Sequence, residues 1–294
     1  MEGRILKGIG GFYYVRCTDG EVYACRARGI FRKDGIKPLV GDHVRISVVD
    51  EAAREGSVDE LLPRKNSLIR PEAANVDQAL LVFALAEPSP NTLLLDRFLI
   101  TMAGEGVPCI LLFNKADLVS GETAAEFCEA YRNAADTVLT ASALSQDMGA
   151  LLSEKLKGKI TLLAGPSGVG KSTILNALCP DAAAETGEIS RKLRRGKHTT
   201  RHSELFALED GGWIMDTPGF TALSLFGCEA EDIRYEYPEF SDYEGKCRFQ
   251  DCLHMEEPDC AVRTAADEGM IPMLRYTNYL AICREQKERG RQKG

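Results

Sequence analysis

The residues most clearly suited to chemistry are the eight at positions 165–172, which read Gly-Pro-Ser-Gly-Val-Gly-Lys-Ser. They match the P-loop pattern, in which backbone N–H groups close around nucleotide phosphates and the following helix adds its N-terminal dipole. Lys171 is expected to reach the β- and γ-phosphates, and the Ser172 hydroxyl to bind Mg²⁺. The alternative is a glycine-rich turn that binds nothing. The other loop residues predicted to bind nucleotide are Gly165, Pro166, Ser167, Gly168, Val169 and Gly170.

A second motif, Asn-Lys-Ala-Asp at 114–117, directly follows an apolar run that ends at Phe113. A carboxylate at Asp117 can accept two hydrogen bonds from guanine N1–H and its exocyclic amine, and adenine lacks that edge. The lysine stem is expected to lie over the base, while Asn114 ties the loop together and reaches the base. After the next apolar run, backbone N–H groups near Ser142 are expected to face the guanine oxygen. The predicted base-contacting residues are Asn114, Lys115, Ala116, Asp117, Ser142 and Ala143.

Downstream of the P-loop, the sequence Asp-Thr-Pro-Gly at 216–219 has the features of a nucleotide-sensing switch. Asp216 can hold Mg²⁺ through water, and the Gly219 amide can sense the γ-phosphate. Residues 187–203 contain a basic run, which is either a solvated loop or a switch that orders on nucleotide or nucleic acid. Within it, Thr200 is the first choice for the hydroxyl that completes the metal shell, and Thr199 is the alternative.

The position after Gly219 is occupied by Phe220, whereas some GTPases use a glutamine there to orient the attacking water. Another residue must therefore position the nucleophile. His198, close to the switch threonine, is the candidate, because an imidazole can orient or activate water near neutral pH. The alternative role for His198 is phosphate binding or packing. The predicted catalytic residues are His198, Lys171 and Thr200.

A third cluster has the spacing Cys-x4-Cys-x-His-x5-Cys, formed by Cys247, Cys252, His254 and Cys260. Three thiolates and one imidazole can surround a tetrahedral Zn²⁺ with no open position, which indicates a structural site. The segment has too few apolar residues to fold alone, so the metal is expected to supply the missing stability. The alternative is unrelated reduced thiols beside a surface histidine. Six further cysteines are expected to pack as small apolar side chains: Cys17, Cys25, Cys109, Cys128, Cys179 and Cys283.

The elements that position these motifs differ between the two ends of the chain. Residues 1 to about 65 alternate apolar and polar residues in short bursts between turn residues, which predicts a small all-β barrel. Arginines and lysines interleave with its aromatic residues, and this combination suits nucleic-acid binding; the alternative is a barrel whose basic side chains are only solvated. The segment Leu61 to Ala74, with Pro63 and Pro71, is interpreted as a linker.

Beyond it, five apolar runs separated by helical patterns predict a mostly parallel sheet with helices on both faces. The runs are 79–85, 107–113, 137–141, 160–164 and 213–215. Each motif for nucleotide binding lies at the carboxyl end of such a strand, where ligands collect in open α/β sheets. One helix is predicted at 93–103 and another at 270–286, followed by a basic tail.

The length, charge and cysteine content of the chain limit the class of protein to which it can belong. With 294 residues, 44% of them hydrophobic, the chain is long enough for two or three domains. A net charge of −8 excludes a wholesale polycation. Ten cysteines without an N-terminal signal pattern favour a reducing cytoplasm. No apolar run reaches the roughly 20 residues of a membrane span. We expect a cytoplasmic monomer with no membrane partner.

The order of the motifs is unusual, because the base-reading residues precede the P-loop, as in a circularly permuted GTPase. With a barrel in front and a Cys-Cys-His-Cys segment behind, the chain resembles the bacterial ribosome small-subunit-dependent GTPase A family over essentially its full length. The resemblance implies an OB-fold at 1–70, a permuted α/β P-loop GTPase domain at 71–224, and a helical zinc-binding domain at 225–294. It further implies GTP hydrolysis stimulated by the small ribosomal subunit during late maturation, with rRNA as a partner.

By position, the resemblance places the nucleotide contacts at 114–117 and 165–173, so Thr173 joins the predicted nucleotide-binding residues. It places the family's proposed catalytic histidine at His198. One structural Zn²⁺ and one Mg²⁺ with GTP are the cofactors it implies. Two other functions compete with this one. The first is a P-loop kinase, which the guanine-reading Asp117 disfavours. The second is a zinc-dependent RNA-binding scaffold that does not turn over GTP, for which Phe220 is the supporting feature.

Overall fold

The computed structural model describes residues 1–33, 35–144, 147–180, 203–218, 223, 225 and 228–293. The chain divides into two compact units. The first comprises Met1–Leu80, Ala143–Ala164 and Lys171–Gly219, and the second Leu81–Ser142, Gly165–Gly170 and Phe220–Gly294.

The first unit begins with a closed five-stranded barrel. Its strands are β1 (Glu2–Ile9), β2 (Phe12–Cys17), β3 (Val22–Ala27), β4 (His43–Asp50) and β5 (Glu55–Leu61), with a short helix α1 (Gly29–Lys33) after β3. The order is β1-β2-β3-β5-β4, and β4 also pairs with β1 and so closes the barrel. Because side chains alternate along each strand, every second residue points into the barrel. The core of the barrel is formed by Ile5, Val15, Tyr23, Cys25, Val44, Ile46 and Val58.

The segment interpreted as a linker is instead a small hairpin of β6 (Ser67–Ile69) and β7 (Glu72–Ala74). Leu68 and Ala73 are buried, and the Arg64 Nε atom lies 2.7 Å from Oδ1 of the fully buried Asp42. The prediction was wrong because prolines and basic residues obscured a three-residue alternation. A charged residue near a proline is not a sign of a linker when its partner is a buried carboxylate.

The rest of the first unit continues the sheet. Strands β11 (Ile160–Ala164) and β13 (Trp213–Asp216) are parallel, and β12 (Glu204–Ala207) is antiparallel to β13. Strand β12 also pairs with β1 of the barrel, Lys7 opposite Glu204. Two helices belong to this unit, α4 (Met148–Leu156) and α5 (Lys171–Leu178). The barrel and the strands beside the P-loop are therefore joined by backbone hydrogen bonds.

The second unit contains the end of β8 (Gln78–Ala84), then β9 (Cys109–Asn114) and β10 (Thr137–Thr140) beside it. Strands β9 and β10 are parallel. Every residue of β8 and β9 is buried, as expected for strands of a parallel sheet that is covered on both faces. Helices α2 (Thr92–Gly104) and α3 (Gly121–Tyr131) belong to this unit.

The C-terminal part of the second unit is helical, with two 3-10 helices, Ile233–Glu236 and Pro238–Tyr243, and helices α6 (Ala261–Asp267) and α7 (Met273–Lys293). Helix α7 starts after Pro272 and runs through the basic tail, so it is longer than the predicted 270–286. In the described part of the chain, no helix has both the length and the hydropathy needed to cross a membrane. The core is aromatic: Ile233, Tyr237, Phe240, Tyr276, Tyr279 and Ile282.

Candidate nucleotide site and metal cluster

The base-reading motif forms a short loop at the end of β9. Asn114 is the last residue of the strand and is only 2% exposed, whereas Asp117 is exposed. Between them, Lys115 has a left-handed φ of 59°, which turns the chain into the 3-10 turn Ala116–Leu118. The Lys115 ammonium group donates to the carbonyl of Glu87. The loop therefore holds Asn114 inside and presents Asp117 to solvent.

Backbone bonds fasten this loop to the end of β10. The Ala116 amide donates to the Ala141 carbonyl at 3.1 Å, and the Ala141 amide donates to Phe113 at 3.0 Å. Ser142, the next residue, is buried. The structure thus brings the loop of Asp117 and the loop of Ser142 to the same end of β9 and β10.

The phosphate loop, Gly165–Gly170, contacts this base-reading loop directly. The Asn114 Nδ2 amide donates to the Val169 carbonyl at 2.8 Å. A Cβ on Gly170 would lie 2.3 Å from the same Nδ2 atom, and a Cβ on Gly165 would lie 2.1 Å from the Val82 carbonyl oxygen. Both glycines also have positive φ. A side chain at either position would therefore displace the loop.

In the first unit, the residues that follow the phosphate loop start α5 with Lys171, and Ser172 and Thr173 are exposed in its first turn. Strand β13 ends at Asp216, which pairs in register with Leu163 of β11. Burial lowers the pKa of Lys171, and the charge of Asp216 partly offsets this. Burial likewise raises the pKa of Asp216, with Lys171 opposing. The two charges thus stabilise each other in a partly desolvated setting.

Several predicted residues lie outside the described part of the chain. These are the catalytic candidate His198, the switch candidates Thr199 and Thr200, the γ-phosphate sensor Gly219 and Phe220. Their roles remain predictions.

The four predicted metal ligands meet in one cluster, and all their donor atoms lie within 4.8 Å of one another. The His254 Nδ1 atom is 3.5 Å from Cys247 Sγ and 3.4 Å from Cys260 Sγ, and the two sulfurs are 3.9 Å apart. Tetrahedral bonds to zinc put such sulfur–nitrogen edges at about 3.6 Å and sulfur–sulfur edges at about 3.8 Å. The donor set and its dimensions therefore fit a closed tetrahedral Zn²⁺ site.

Residues that the sequence analysis did not single out hold this cluster in place. The Glu257 carboxylate accepts the amides of Leu253 at 3.0 Å and Met255 at 2.8 Å, on either side of His254. Burial alone would raise the pKa of Glu257, but these amide bonds outweigh it and lower that pKa. The Tyr276 hydroxyl donates to the His254 carbonyl at 2.8 Å. The Glu257 contacts are local, within four residues along the chain, whereas the Tyr276 contact joins residues far apart in the sequence and no local motif indicates it.

A buried charge network lies elsewhere in the second unit, between α2 and α7. Arg275, 1% exposed, pairs with the buried Asp96, and its Nε atom lies 2.8 Å from Glu239 Oε1. The guanidinium stacks over the ring of Tyr237, with 4.4 Å to the ring centroid. Burial would lower the pKa of Arg275, but the two carboxylates outweigh it and raise that pKa. A fully buried arginine could not be recognised from a sequence in which basic residues are common.

The barrel carries aromatic side chains next to cations. The Lys7 ammonium lies 5.4 Å from the Tyr14 ring, and the Arg26 guanidinium 4.5 Å from the Phe12 ring. Register pairs Lys7 with Tyr14 and Phe12 with Arg26, so all four share a face of β1, β2 and β3. Lys7 Nζ is also 2.6 Å from Glu204 Oε1 on β12. This face has the composition of a nucleic-acid-binding surface.

Comparison with known proteins agrees with this arrangement. The family model for the RsgA GTPase matches residues 61–226, and the model for the RsgA N-terminal domain matches residues 2–57. A relative from Agathobacter rectalis is 48% identical over 98% of this chain and 99% of its own length. Another from Alkaliphilus metalliredigens is 44% identical over 99% of both chains. Both are named small ribosomal subunit biogenesis GTPase RsgA.

Two solved structures share the fold across nearly the whole chain. YjeQ from Thermotoga maritima superimposes with a TM-score of 0.77 at 32% identity, covering 97% of this chain and 98% of that one. YloQ, described as a circularly permuted GTPase, gives a TM-score of 0.76 at 39% identity, covering 98% and 95%. The predicted fold class is therefore confirmed: a barrel, a permuted α/β P-loop domain, and a helical segment with a Cys/His cluster. The chain is a GTP-hydrolysing enzyme and belongs to the RsgA GTPase family.

Proposed function

We propose that this GTPase acts on the small ribosomal subunit in its late maturation, and that the subunit stimulates GTP turnover. The names of the relatives support the assignment to subunit biogenesis. The single observation that carries the proposal further is the pairing of β1 with β12. Strand β1 contributes to the cation-and-aromatic face of the barrel, and β12 is the first strand after the basic run at 187–203, which we propose to be a switch. RNA bound to the barrel would thus act on the same sheet as the switch.

Guanine recognition is assigned to the loop after β9. Asp117 is exposed and free to accept the guanine N1–H and amino group, while Asn114 is held by the phosphate loop. Ser142 and Ala143 supply backbone N–H groups for the guanine oxygen, and Lys115 and Ala116 complete the loop. Because a carboxylate cannot be satisfied by adenine at this edge, GTP is preferred over ATP.

Phosphate binding is assigned to the loop Gly165–Gly170 with Lys171, Ser172 and Thr173. The Lys171 ammonium neutralises phosphate charge, and its partial burial strengthens that interaction. The Ser172 hydroxyl, Asp216 and Thr200 are the proposed residues around Mg²⁺, and the Gly219 amide faces the γ-phosphate. Bound Mg²⁺ would neutralise the charge that develops on the transferred phosphoryl group.

His198 is proposed to orient the attacking water, in place of the glutamine that Phe220 replaces. An imidazole has the appropriate pKa range for this role near neutral pH. The fit of Cys247, Cys252, His254 and Cys260 to a tetrahedron supports one structural Zn²⁺. The domain division at 70 and 224, a monomeric state, rRNA contacts and a cytoplasmic location are further parts of this proposal.

The experiment is GTP hydrolysis by the purified protein with and without small ribosomal subunits, beside His198→Ala. Strong stimulation that His198→Ala loses, with unchanged nucleotide binding, supports both subunit-stimulated turnover and the role of His198. Stimulation that survives the substitution keeps the function and removes His198 from the mechanism. Absence of any stimulation contradicts ribosome-dependent turnover.

Base selectivity is tested separately with Asp117→Asn. The variant is expected to lose roughly ten- to hundredfold in GTP affinity, the value of one or two charged hydrogen bonds. An asparagine amide can instead donate to the extra oxygen of xanthine, so binding of xanthosine triphosphate is expected to rise. If GTP binding is unchanged, Asp117 does not read the base.

A further inference from the structure

We infer that Arg4, Arg16 and Trp213 form an RNA sensor, in which a phosphate of the RNA backbone takes the two guanidinium groups away from the Trp213 ring. This inference rests on the proposed function, in which RNA is the partner, and it names residues that connect RNA to the nucleotide site. Trp213 is the first residue of β13, and Asp216 is the last. All three residues of the RNA sensor belong to the first unit.

The first observation is that the two arginines are direct neighbours on adjacent strands. Arg4 of β1 and Arg16 of β2 lie opposite each other in the antiparallel pair. Like charges in this position repel each other. Within the described part of residues 1–65, the arginines that pair with a carboxylate are Arg28, Arg45, Arg54 and Arg64. Arg4 and Arg16 therefore place two uncompensated positive charges side by side.

The second observation is that the carboxylate whose charge acts on Arg4 is bound to other groups. Asp77 Oδ1 lies 2.8 Å from the Lys65 ammonium, and Asp77 Oδ2 accepts the Ile160 amide at 2.8 Å. Burial lowers the pKa of Arg4, and the charge of Asp77 only partly offsets this. Arg4 is half-buried, whereas Arg16 is exposed. Because water screens a partly buried cation less, the pair attracts an anion that arrives from solvent.

The third observation is that both guanidinium groups contact one aromatic ring. The Cζ atoms of Arg4 and Arg16 each lie 5.9 Å from the centroid of the Trp213 ring. This distance is at the outer limit of a cation–π contact, about 6 Å, so the ring holds each cation weakly. Arginine forms stronger, charge-assisted and often bidentate hydrogen bonds with phosphate. A phosphate therefore competes with the ring for both arginines.

A third basic side chain extends the row of the two arginines. His43 of β4 lies opposite Arg4, on the side of β1 away from β2, and the Arg4 guanidinium contacts its Nε2 atom. His43 is exposed, as is Arg16. The row thus crosses three strands of the barrel. A row of basic groups suits a chain of phosphates better than a single free anion, because each neutralised phosphate adds to the affinity.

Trp213 connects this exchange to the strand of Asp216. The Trp213 amide donates to the Lys159 carbonyl at 2.8 Å, and Asp216 lies opposite Leu163 of β11. The ring has two states, one with the arginines against it and one without them. A ligand that prefers one of two states shifts the population toward it. Release of the ring alters where β13 holds the Asp216 carboxylate, whose charge acts on Lys171.

The first experiment uses Trp213 as its own reporter, because it is the single tryptophan of the chain. The fluorescence of the full-length protein is recorded while a short oligouridylate is added. We expect a saturable change in intensity, since the guanidinium groups leave the indole ring. An abasic oligomer with the same phosphodiester links should produce the same change. A change that requires bases would mean that a base stacks on Trp213, which overturns the assignment to phosphate.

The salt dependence of binding tests whether the arginines contact phosphate. Arg16→Gln is expected to reduce the slope of log affinity against log salt by about 0.7, the value of one phosphate contact in a single strand. Arg54→Gln is the matched control, because Arg54 is also exposed but already pairs with Glu21. The control should keep the slope of the parent protein. An unchanged slope in Arg16→Gln, or an equal loss in both variants, would overturn the site.

Reciprocal affinities test the connection to the nucleotide site. The affinity for a non-hydrolysable GTP analogue is measured with and without saturating oligouridylate, and the affinity for oligouridylate with and without the analogue. Linkage requires the two ratios to be equal, and we expect about fivefold or more, the lower end of typical couplings. Arg16→Gln should reduce the ratio to near one. A parental ratio in Arg16→Gln, at RNA concentrations that saturate it, would overturn the inference.

Two substitutions of Trp213 separate the ring from folding. Trp213→Leu keeps both arginines, so it should still bind oligouridylate but lose the coupling. Trp213→Phe retains an aromatic ring and should retain part of the coupling. Thermal midpoints establish that each variant is folded. If folded Trp213→Leu keeps the parental coupling, the ring is not the connection and the inference is overturned.

The outcomes separate this inference from the proposed function. Subunit-stimulated GTP hydrolysis that Arg16→Gln and Trp213→Leu both retain in full overturns the RNA sensor and leaves the proposed function intact. Absence of stimulation in the parent protein contradicts the proposed function, and the oligouridylate measurements then decide the inference separately. Equal affinities for the GTP analogue with and without oligouridylate overturn it.

Discussion

The Asn114 side-chain amide donates a hydrogen bond to the Val169 carbonyl at 2.8 Å. This bond joins the loop that is proposed to bind the base to the loop that is proposed to bind the phosphates. Along the chain, 54 residues lie between Asn114 and Val169. In this permuted chain the base-reading loop comes first, so only tertiary structure brings the two loops together. The bond makes the two parts of the nucleotide site interdependent.

Replacing Asn114 with alanine is therefore expected to weaken guanine and phosphate binding together. The buried Val169 carbonyl would lose its donor, at a general cost of about 1–3 kcal/mol. Affinities for GDP and for GTP should fall by similar factors, as measured with a fluorescent nucleotide. Asn133→Ala, at an exposed position on the surface, is the matched control. A selective loss of GTP binding with GDP binding unchanged would contradict this interdependence.

The lowered pKa of Lys171 predicts a pH dependence of nucleotide binding. Bound phosphates favour the charged ammonium, so nucleotide binding raises the pKa of Lys171. Nucleotide affinity is therefore expected to fall as the pH rises through the lowered pKa that Lys171 has in the free protein. Nucleotide affinity is to be measured by calorimetry from neutral to alkaline pH.

Lys171→Arg separates this effect from titration of the guanine base. Arginine stays charged over the whole range, so the variant should lose the part of the pH dependence that comes from Lys171 while deprotonation of guanine N1 persists. An unchanged pH profile in Lys171→Arg would assign the dependence to the base alone.

The cluster of Cys247, Cys252, His254 and Cys260 predicts one zinc ion per chain. Cys252→Ser is expected to lose the metal and to unfold the segment around it, because we expect that segment to depend on the metal for stability. Zinc content and near-ultraviolet circular dichroism measure both effects. Cys228→Ser, at a half-buried cysteine outside the cluster, should retain zinc. Full zinc retention in Cys252→Ser would exclude this ligand set.

The pair of Arg275 and Asp96 predicts a large loss of stability in Arg275→Met. The substitution leaves the carboxylates of Asp96 and Glu239 buried without their cation, which typically costs about 3–5 kcal/mol of unfolding free energy. Urea denaturation measures this change. The double variant Arg275→Met with Asp96→Leu should recover part of the loss, since one uncompensated charge is gone. If Arg275→Met and the double variant are equally stable, Arg275 and Asp96 do not interact.

The sequence alone was sufficient to recognise the kinds of site. The P-loop at 165–172 and the metal ligands at 247–260 are short motifs whose residues lie close along the chain, so their spacing already constrains their geometry. The alternation of apolar residues predicted the barrel, and the uninterrupted apolar runs predicted buried parallel strands, because burial on one face or on two leaves those patterns. The order of the motifs indicated the circular permutation.

Only the tertiary structure revealed which distant residues support those sites. The bond from Asn114 to Val169, the partners of Arg275 and the bond from Tyr276 to the His254 carbonyl join residues whose types are individually common in proteins. The hairpin at 67–74 was missed because its strands are only three residues long, and because its contacts come from a separate part of the chain, as where the Ala74 amide donates to the Val40 carbonyl at 2.9 Å. Local patterns record burial and turn geometry, whereas long-range pairing of polar groups leaves no periodic signal and is decided by how the whole chain folds.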